Sequence, residues 1–403
     1  MGNENAAETF AMSQASGTST NPSSAPMEMY GFTFKSWNLM LHGQGFLADI
    51  QQTGPRGDDK LFSVNWLMGM ASHPWGGGQI LFRSMLSFDP ATITERRYPL
   101  LFQTGETAFG QTLVDAQHPH DFFMELAMEY VRSLGEKNLV YFYFAPVGDP
   151  ALGPAAFPHR VSAAELPQAT LSHHLQDSTH VANEVVTVGF QRGIVRWEAS
   201  GFHGGEPDEN RWDIDHGSVD SWATRLTLTP SANWVGQVSI GRLNKPEALE
   251  NGDVIRSTAS ISYNRNTKDG YWASSIVWGR NHKTADHRDL NSYLLESVFH
   301  FQEKNYLTGR IELVDKEDLL PSIVKTSPFS APGPVFRIGA FTVGYTRDVP
   351  FLPGIQTGLG ANFTFYSVPD TLKTSYGDRP MGVIFFARFR LLGNGMMHHE
   401  SMP

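Results

Sequence analysis

Cysteine is absent from this 403-residue chain. That excludes disulfides and thiolate metal centres, and it fits an exported bacterial protein. No apolar run approaches the roughly 18–20 residues of a membrane-spanning helix. Charge is sparse, at 18% of residues, and its balance of −10 argues against nucleic acid as a partner. Residues 1–26 hold no basic residue and no apolar stretch, so they carry no export signal. An exported chain of this sequence is therefore expected to be a mature form or to start downstream of its true beginning.

What is present is glycine and aromatic rings: 38 Gly, 27 Phe, 12 Tyr and 9 Trp, at a mean hydropathy of −0.28. Such a mixture suits strands that alternate between lipid and a wet interior. Residues 291–313 give the pattern. Tyr293, Leu295, Phe299 and Phe301 alternate with Ser292, Glu296 and His300; after the turn EKN, Leu307, Gly309, Ile311 and Leu313 alternate with Tyr306, Thr308, Arg310 and Glu312. Period-two alternation across a tight polar turn predicts a β-hairpin. A protein core would not accept the charges of its second face, so the apolar face is the one expected to meet lipid.

Sixteen such segments are read between residues 32–52 and 381–391, and an even number close to sixteen is expected. Their connections alternate in length. Short turns at 73–79, 135–138, 191–193, 229–233, 266–270, 303–305 and 347–354 separate longer loops at 90–120, 147–181, 204–215, 243–252, 282–289, 316–334 and 368–380. Both termini then fall on the short-turn side. Residues 1–30, rich in Ser, Thr, Asn and Ala, are expected to be a disordered tail.

On these features the chain resembles a Gram-negative outer-membrane porin-type β-barrel over residues 31–392. The last segment, VIFFARFRLL at 383–392, has Val383, Phe385, Phe389 and Leu391 on one face. It departs from the porin pattern of a terminal aromatic by adding a Met/His-rich tail, 393–403. The resemblance implies an all-β, antiparallel transmembrane barrel in the outer membrane, with short periplasmic turns and long extracellular loops. It also implies lipid as a partner and passage of small polar solutes.

Alternation assigns to the lumen Arg83, Glu125, Glu129, Arg196, Glu198, Arg225, Arg256, Glu296, His300, Arg310, Glu312, Arg388 and Arg390. They are the expected pore-lining set, since Arg or Lys at the lipid midplane costs about 2–4 kcal/mol. Trp66, Phe82, Leu86, Trp197, Trp222, Leu226, Trp272, Trp278, Leu359, Phe363 and Phe365 are assigned to lipid. The functional expectation is a channel with a charged lumen, unless loops 90–120 and 147–181 plug it.

Histidine is concentrated in three successive long loops. DAQHPHD carries His118, His120 and Asp121; SHHLQDSTH carries His173, His174 and His180; His203 and His216 bracket the third. Loops leaving one rim bring these residues together, and imidazole with carboxylate suits Zn²⁺ or Cu²⁺. The candidate metal ligands are His118, His120, Asp121, His173, His174 and His180, and the alternative function is outer-membrane zinc or copper binding. Their affinity is expected to fall below the free-imidazole pKa of about 6.5. A rim hydrolase built on the Ser172–His173 or Asp177–His180 stretch is a third expectation, without any G-x-S-x-G or H-E-x-x-H motif to carry it.

Overall fold

The computed structural model describes residues 6, 7, 9–11, 13–135, 137–320, 327 and 333–393. The barrel wall consists of β2 (Trp37–Gln52), β3 (Asp59–Trp75), β4 (Gly78–Leu86), β7 (Phe123–Ser133), β8 (Asn138–Gly148), β9 (Ala182–Arg192), β10 (Val195–His203) and β11 (Ser221–Ser231). It continues through β12 (Trp234–Leu243), β13 (Val254–Thr267), β14 (Gly270–Lys283), β15 (Asp289–Phe301), β16 (Asn305–Lys316), β17 (Phe336–Asp348), β18 (Ile355–Ser367) and β19 (Met381–Leu391). Every neighbouring pair is antiparallel, and β19 pairs with β2, with Ala387 opposite Leu47, closing a sixteen-strand barrel. Closure removes the unpaired edges that a membrane would not tolerate. All sixteen strand segments read from the sequence correspond to wall strands, and the short turns and long loops fall at opposite ends.

Side-chain alternation sets the faces. On β15, Tyr293, Leu295 and Phe299 are exposed outward while Leu294, Glu296 and Val298 are buried inward. Leu295 sits opposite Ile276 and Ile311, both also outward, so the outer surface is a continuous apolar belt. A water-exposed belt of this extent would be an aggregation liability, whereas lipid satisfies it. Trp66 departs from the expected orientation. It is buried on the inner face of β3 beside Phe62, Met68 and Met70, while Leu61 and Leu67 face out. Both faces of this strand are apolar, so residue type alone could not fix its register.

The interior is filled from three directions. The 87–122 loop contains a helical turn α1 (Asp89–Thr92) and a hairpin, β5 (Tyr98–Ala108) with β6 (Gln111–Gln117), whose Leu100, Leu101 and Phe102 pack against Ile50, Phe62 and Ile384 of the wall. The 149–181 loop, with a helical turn α2 (His173–Gln176), is almost wholly buried. The third insert is N-terminal, and it corrects the expected disordered tail. Gln14 Nε2 donates to Glu129 at 2.7 Å, Ser16 Oγ to Asp149 at 2.8 Å, and Arg83 Nη2 donates to the Gly17 carbonyl at 2.6 Å. Gly17 is left-handed (φ +50), and a Cβ there would lie 2.3 Å from the Asp149 carbonyl oxygen. A segment with few apolar residues cannot form its own core, but it supplies hydrogen bonds to charges that a closed lumen has cut off from water.

The segment leaves at the short-turn end, where Ser24 N donates to the Ala232 carbonyl, and turns back through the short strand β1 (Tyr30–Phe34) paired with the start of β2. The Met/His-rich tail lies outside the described residues after Gly393.

The outward register of β15 carries a direct test. Leu295→Arg should destabilise the barrel in liposomes by about 2–4 kcal/mol, read from urea-induced unfolding. An unchanged midpoint would mean that Leu295 does not face the bilayer interior.

Candidate functional site

The inward charges meet the inserts rather than open water. Glu296 accepts from Arg310 of the wall at 3.2 Å and from Arg160 of the 149–181 loop at 2.7 Å. Arg160 also pairs with Asp177 at 2.5 Å. Burial raises the Asp177 pKa, but Arg160 and His173 outweigh it and hold the carboxyl below its ordinary value. Arg388 and Arg390 both bind Glu165 of the same loop. Ser172 Oγ donates to Glu312 at 2.9 Å, and Arg256 donates to Ser178 Oγ and to the His174 carbonyl. Elsewhere on the wall, Arg83 pairs with Glu125 at 3.0 Å, while Arg225 at 2.9 Å and Arg196 at 3.6 Å share Glu198. His300, the remaining inward residue, stacks on Tyr306 with ring centroids 4.2 Å apart. The thirteen residues expected to line a pore thus face inward, and most are sealed beneath the inserts.

Within this packed interior the histidines converge at the long-loop end. Ring nitrogens of His118, His173 and His174 lie within 4.8 Å of one another. Local contacts orient the rings: Nδ1 of His173 faces Asp177 Oδ1 at 2.7 Å, and Nδ1 of His118 faces the Pro119 carbonyl at 3.0 Å. At His173 the acceptor at Nδ1 fixes the proton there and leaves Nε2 with its lone pair, the usual outer arrangement of a metal-binding imidazole. Neither ring nitrogen of His174 has a hydrogen-bond partner. Burial lowers the pKa of both His173 and His174 to about 4, so these rings are neutral at pH 7. Gly105 of β5 (φ +121) makes the fit possible, because a Cβ there would lie 2.6 Å from the His174 ring.

A second group shares His174. Its Nδ1 lies 3.4 Å from Glu206 and 3.7 Å from Glu247, which come from the loops after β10 and β12. Burial raises both carboxyl pKa values, with the Glu106 charge adding to the shift at Glu206 and the Glu206 charge adding to that at Glu247, so the pair holds a proton where free glutamates would be ionised. Glu106 of β5 lies 3.0 Å from His118 Nε2. Burial raises its pKa, but Arg211 and His118 reverse the shift and keep it ionised.

Of the other expected ligands, His120 and His180 face each other with ring centroids 5.4 Å apart, behind the first group. His120 Nδ1 is held by Asp89 at 2.9 Å. Asp121 lies apart from the cluster, because Arg211 claims it at 3.3 Å. The third loop contributes Glu206 rather than His203, which contacts the Ser218 carbonyl, or His216, which is paired with Glu184. Glu106, Glu206 and Glu247 were not singled out by the sequence, since isolated acids in loops give no periodic signal. The expected hydrolase pairings do not assemble: Ser172 bonds Glu312 while His173 bonds Asp177.

Arg160→Met should leave Asp177 and Glu296 with a lost partner, at a cost of about 3–5 kcal/mol for a broken buried pair. The expected outcome is protease cleavage within 149–181 while the barrel keeps its heat-dependent gel mobility. Protection equal to that of the wild type would show that Arg160 does not secure the insert.

No protein-family model matches the sequence, and no curated protein matches it either. Solved structures do. The anion-selective porin of Comamonas acidovorans is 11% identical with a TM-score of 0.52, covering 88% of this chain and 100% of that one. OmpF of Salmonella typhi, solved in complex with daunomycin, is 9% identical with a TM-score of 0.53, covering 89% of this chain and 100% of that one. The likeness is one of fold: the chain shares with these porins the closed sixteen-strand antiparallel barrel, and its apolar belt is the surface such a barrel turns to lipid.

Proposed function

We propose that this protein is an outer-membrane channel of the porin type, held closed by its own inserts, whose ligand is a divalent transition-metal ion captured at the long-loop mouth. The observation that carries the reading is the trio His118, His173 and His174, with ring nitrogens within 4.8 Å and no hydrogen-bond partner at either nitrogen of His174. A buried polar atom without a partner costs free energy, and an ion would remove that cost. Zn²⁺ takes imidazole nitrogen at about 2.0–2.1 Å in a tetrahedral set, which His118, His173 and His174 could supply with one position to spare. Cu²⁺ accepts the same donors.

Passive diffusion of small polar solutes is supported less well, because the charges that would set a field across an open lumen are already paired with the inserts. Solute passage would require the inserts to withdraw. Extracellular capture followed by such a movement joins both expectations in one protein.

Calorimetric titration with Zn²⁺ and Cu²⁺, on a chain ending at Gly393 so that the tail histidines do not contribute, tests the reading. His118→Ala with His174→Ala should weaken binding by more than about a hundredfold, since even outer-shell changes cost 10–100-fold. A wild-type barrel that binds neither ion above background would overturn the proposal.

The pH dependence follows from the lowered pKa values. Three free imidazoles would lose roughly a thousandfold in affinity between pH 7.5 and 5.5. With His173 and His174 near 4, those two rings stay neutral over that range, and the loss should fall well short of a thousandfold. Their own protonation weakens binding only as pH approaches 4. A thousandfold fall by pH 5.5 would show that the rings titrate as free imidazoles. Titration in buffers of different ionisation enthalpy separates the two groups: His173 and His174 have no proton to release at pH 7, whereas Glu206 and Glu247 must release one.

A further inference from the structure

Methionine is placed unevenly on the inner wall. Among the described residues, the wall methionines that are buried inward are Met40, Met68, Met70, Met85 and Met124, all on the adjacent strands β2, β3, β4 and β7. The register makes four of them neighbours. Met40 is directly opposite Met70, and Met68 is opposite His42 on one side and Met85 on the other. Directly opposed residues on one face hold their Cβ atoms about 4.5–5.5 Å apart, well within the reach of a methionine side chain. These methionines belong to one packed cluster, so their side chains do meet. Elsewhere the apolar positions of the inner wall are filled by Phe, Ile, Leu, Val and Ala, such as Phe46, Ile50, Val298, Ile338 and Phe386, so the thioethers are confined to this sector.

Two observations point from this patch to a ligand. The first is His42, an imidazole at the edge of the thioethers on the same face. The second is its position relative to the plug histidines. The His42 ring lies edge-on to Trp66 at 4.7 Å, and Trp66 meets His159 of the 149–181 loop at 4.5 Å. His159 Nε2 is buried without a hydrogen-bond partner. Trp66 also borders a cavity with His118, His120 and Phe157. Imidazoles therefore lead from the long-loop mouth to the methionine patch through one indole.

We propose that Met40, Met68, Met70 and Met85 with His42 form a second site, specific for a soft monovalent d¹⁰ cation such as Cu(I). Thioether and imidazole donors suit Cu(I), and a hard dication gains little from them. Charge supports the same choice: Glu125, the carboxylate opposite Met85 in register, is already paired with Arg83. The proposal stands apart from the three-imidazole trio and survives its failure. Loss of Zn²⁺ binding at the trio says nothing about thioethers.

The test uses the full chain and compares Cu(I), held by a competing chelator under anaerobic conditions, with Zn²⁺. Met68→Leu with Met70→Leu keeps volume and apolarity, a class of exchange that usually costs under about 1.5 kcal/mol. Any binding by the tail methionines is common to both proteins and cancels in the difference. The double variant should bind one Cu(I) fewer than wild type while its Zn²⁺ stoichiometry is unchanged, and His118→Ala with His174→Ala should do the reverse. Should the double variant misfold, Ag⁺ titration of wild-type protein labelled at the methionine methyl carbon gives an independent reading, with resonances of the wall methionines shifting as well as those of the tail. Equal Cu(I) stoichiometry in variant and wild type, or Ag⁺ shifts confined to tail resonances, would overturn the site.

Discussion

Everything inside this barrel depends on the cost of keeping a charge away from water. The inward positions carry guanidinium and carboxylate groups, and once the lumen is filled none of them can rely on solvation. Arg160 answers that demand at the centre, bridging Glu296 of the wall and Asp177 of its own loop. Glu165 does the same for Arg388 and Arg390, and Gln14 and Gly17 do so for Glu129 and Arg83. Insert and wall are thus mutually obligatory. Removing the insert without water to replace it would leave charges unpaired, so any opening must admit water as the inserts leave.

The same constraint shapes the metal chemistry. Burial keeps the imidazoles of His173 and His174 neutral and leaves His174 without hydrogen bonds, while forcing Glu206 and Glu247 to retain a proton. A cation entering between them meets neutral nitrogen donors on one side and an exchangeable proton on the other. Few arrangements of ordinary loop residues have both properties.

The wall was legible because lipid enforces period-two alternation at each strand and the two ends differ in loop length. Glu296 and Arg310 could be placed inward, and Phe299 and Leu313 outward, from their spacing alone. The inserts were not legible, because their partners are wall charges far away in sequence and their own pattern is aperiodic. Residues 1–30 read as disordered for the same reason that the described stretch 13–24 fits: serine and threonine offer hydrogen bonds and little else. Trp66 was misplaced because an indole suits either lipid or a packed interior, and β3 is apolar on both faces. The convergence of His118, His173 and His174 followed from loop parity, yet their acidic neighbours Glu106, Glu206 and Glu247 carry no spacing that would single them out.

The N-terminal insert has a consequence for biogenesis. It leads through β1 into β2, and β2 forms the seam of the barrel by pairing with β19, the wall strand farthest from it along the described chain. Contacts so distant along the chain are slow to form, so the seam is among the last features to close. The segment reaches the lumen through the short-turn mouth, so a closed seam leaves its route open. Being tied to β2 at its far end, the insert is held at the mouth of the lumen whose charges it satisfies, and the barrel carries its own plug on a short tether.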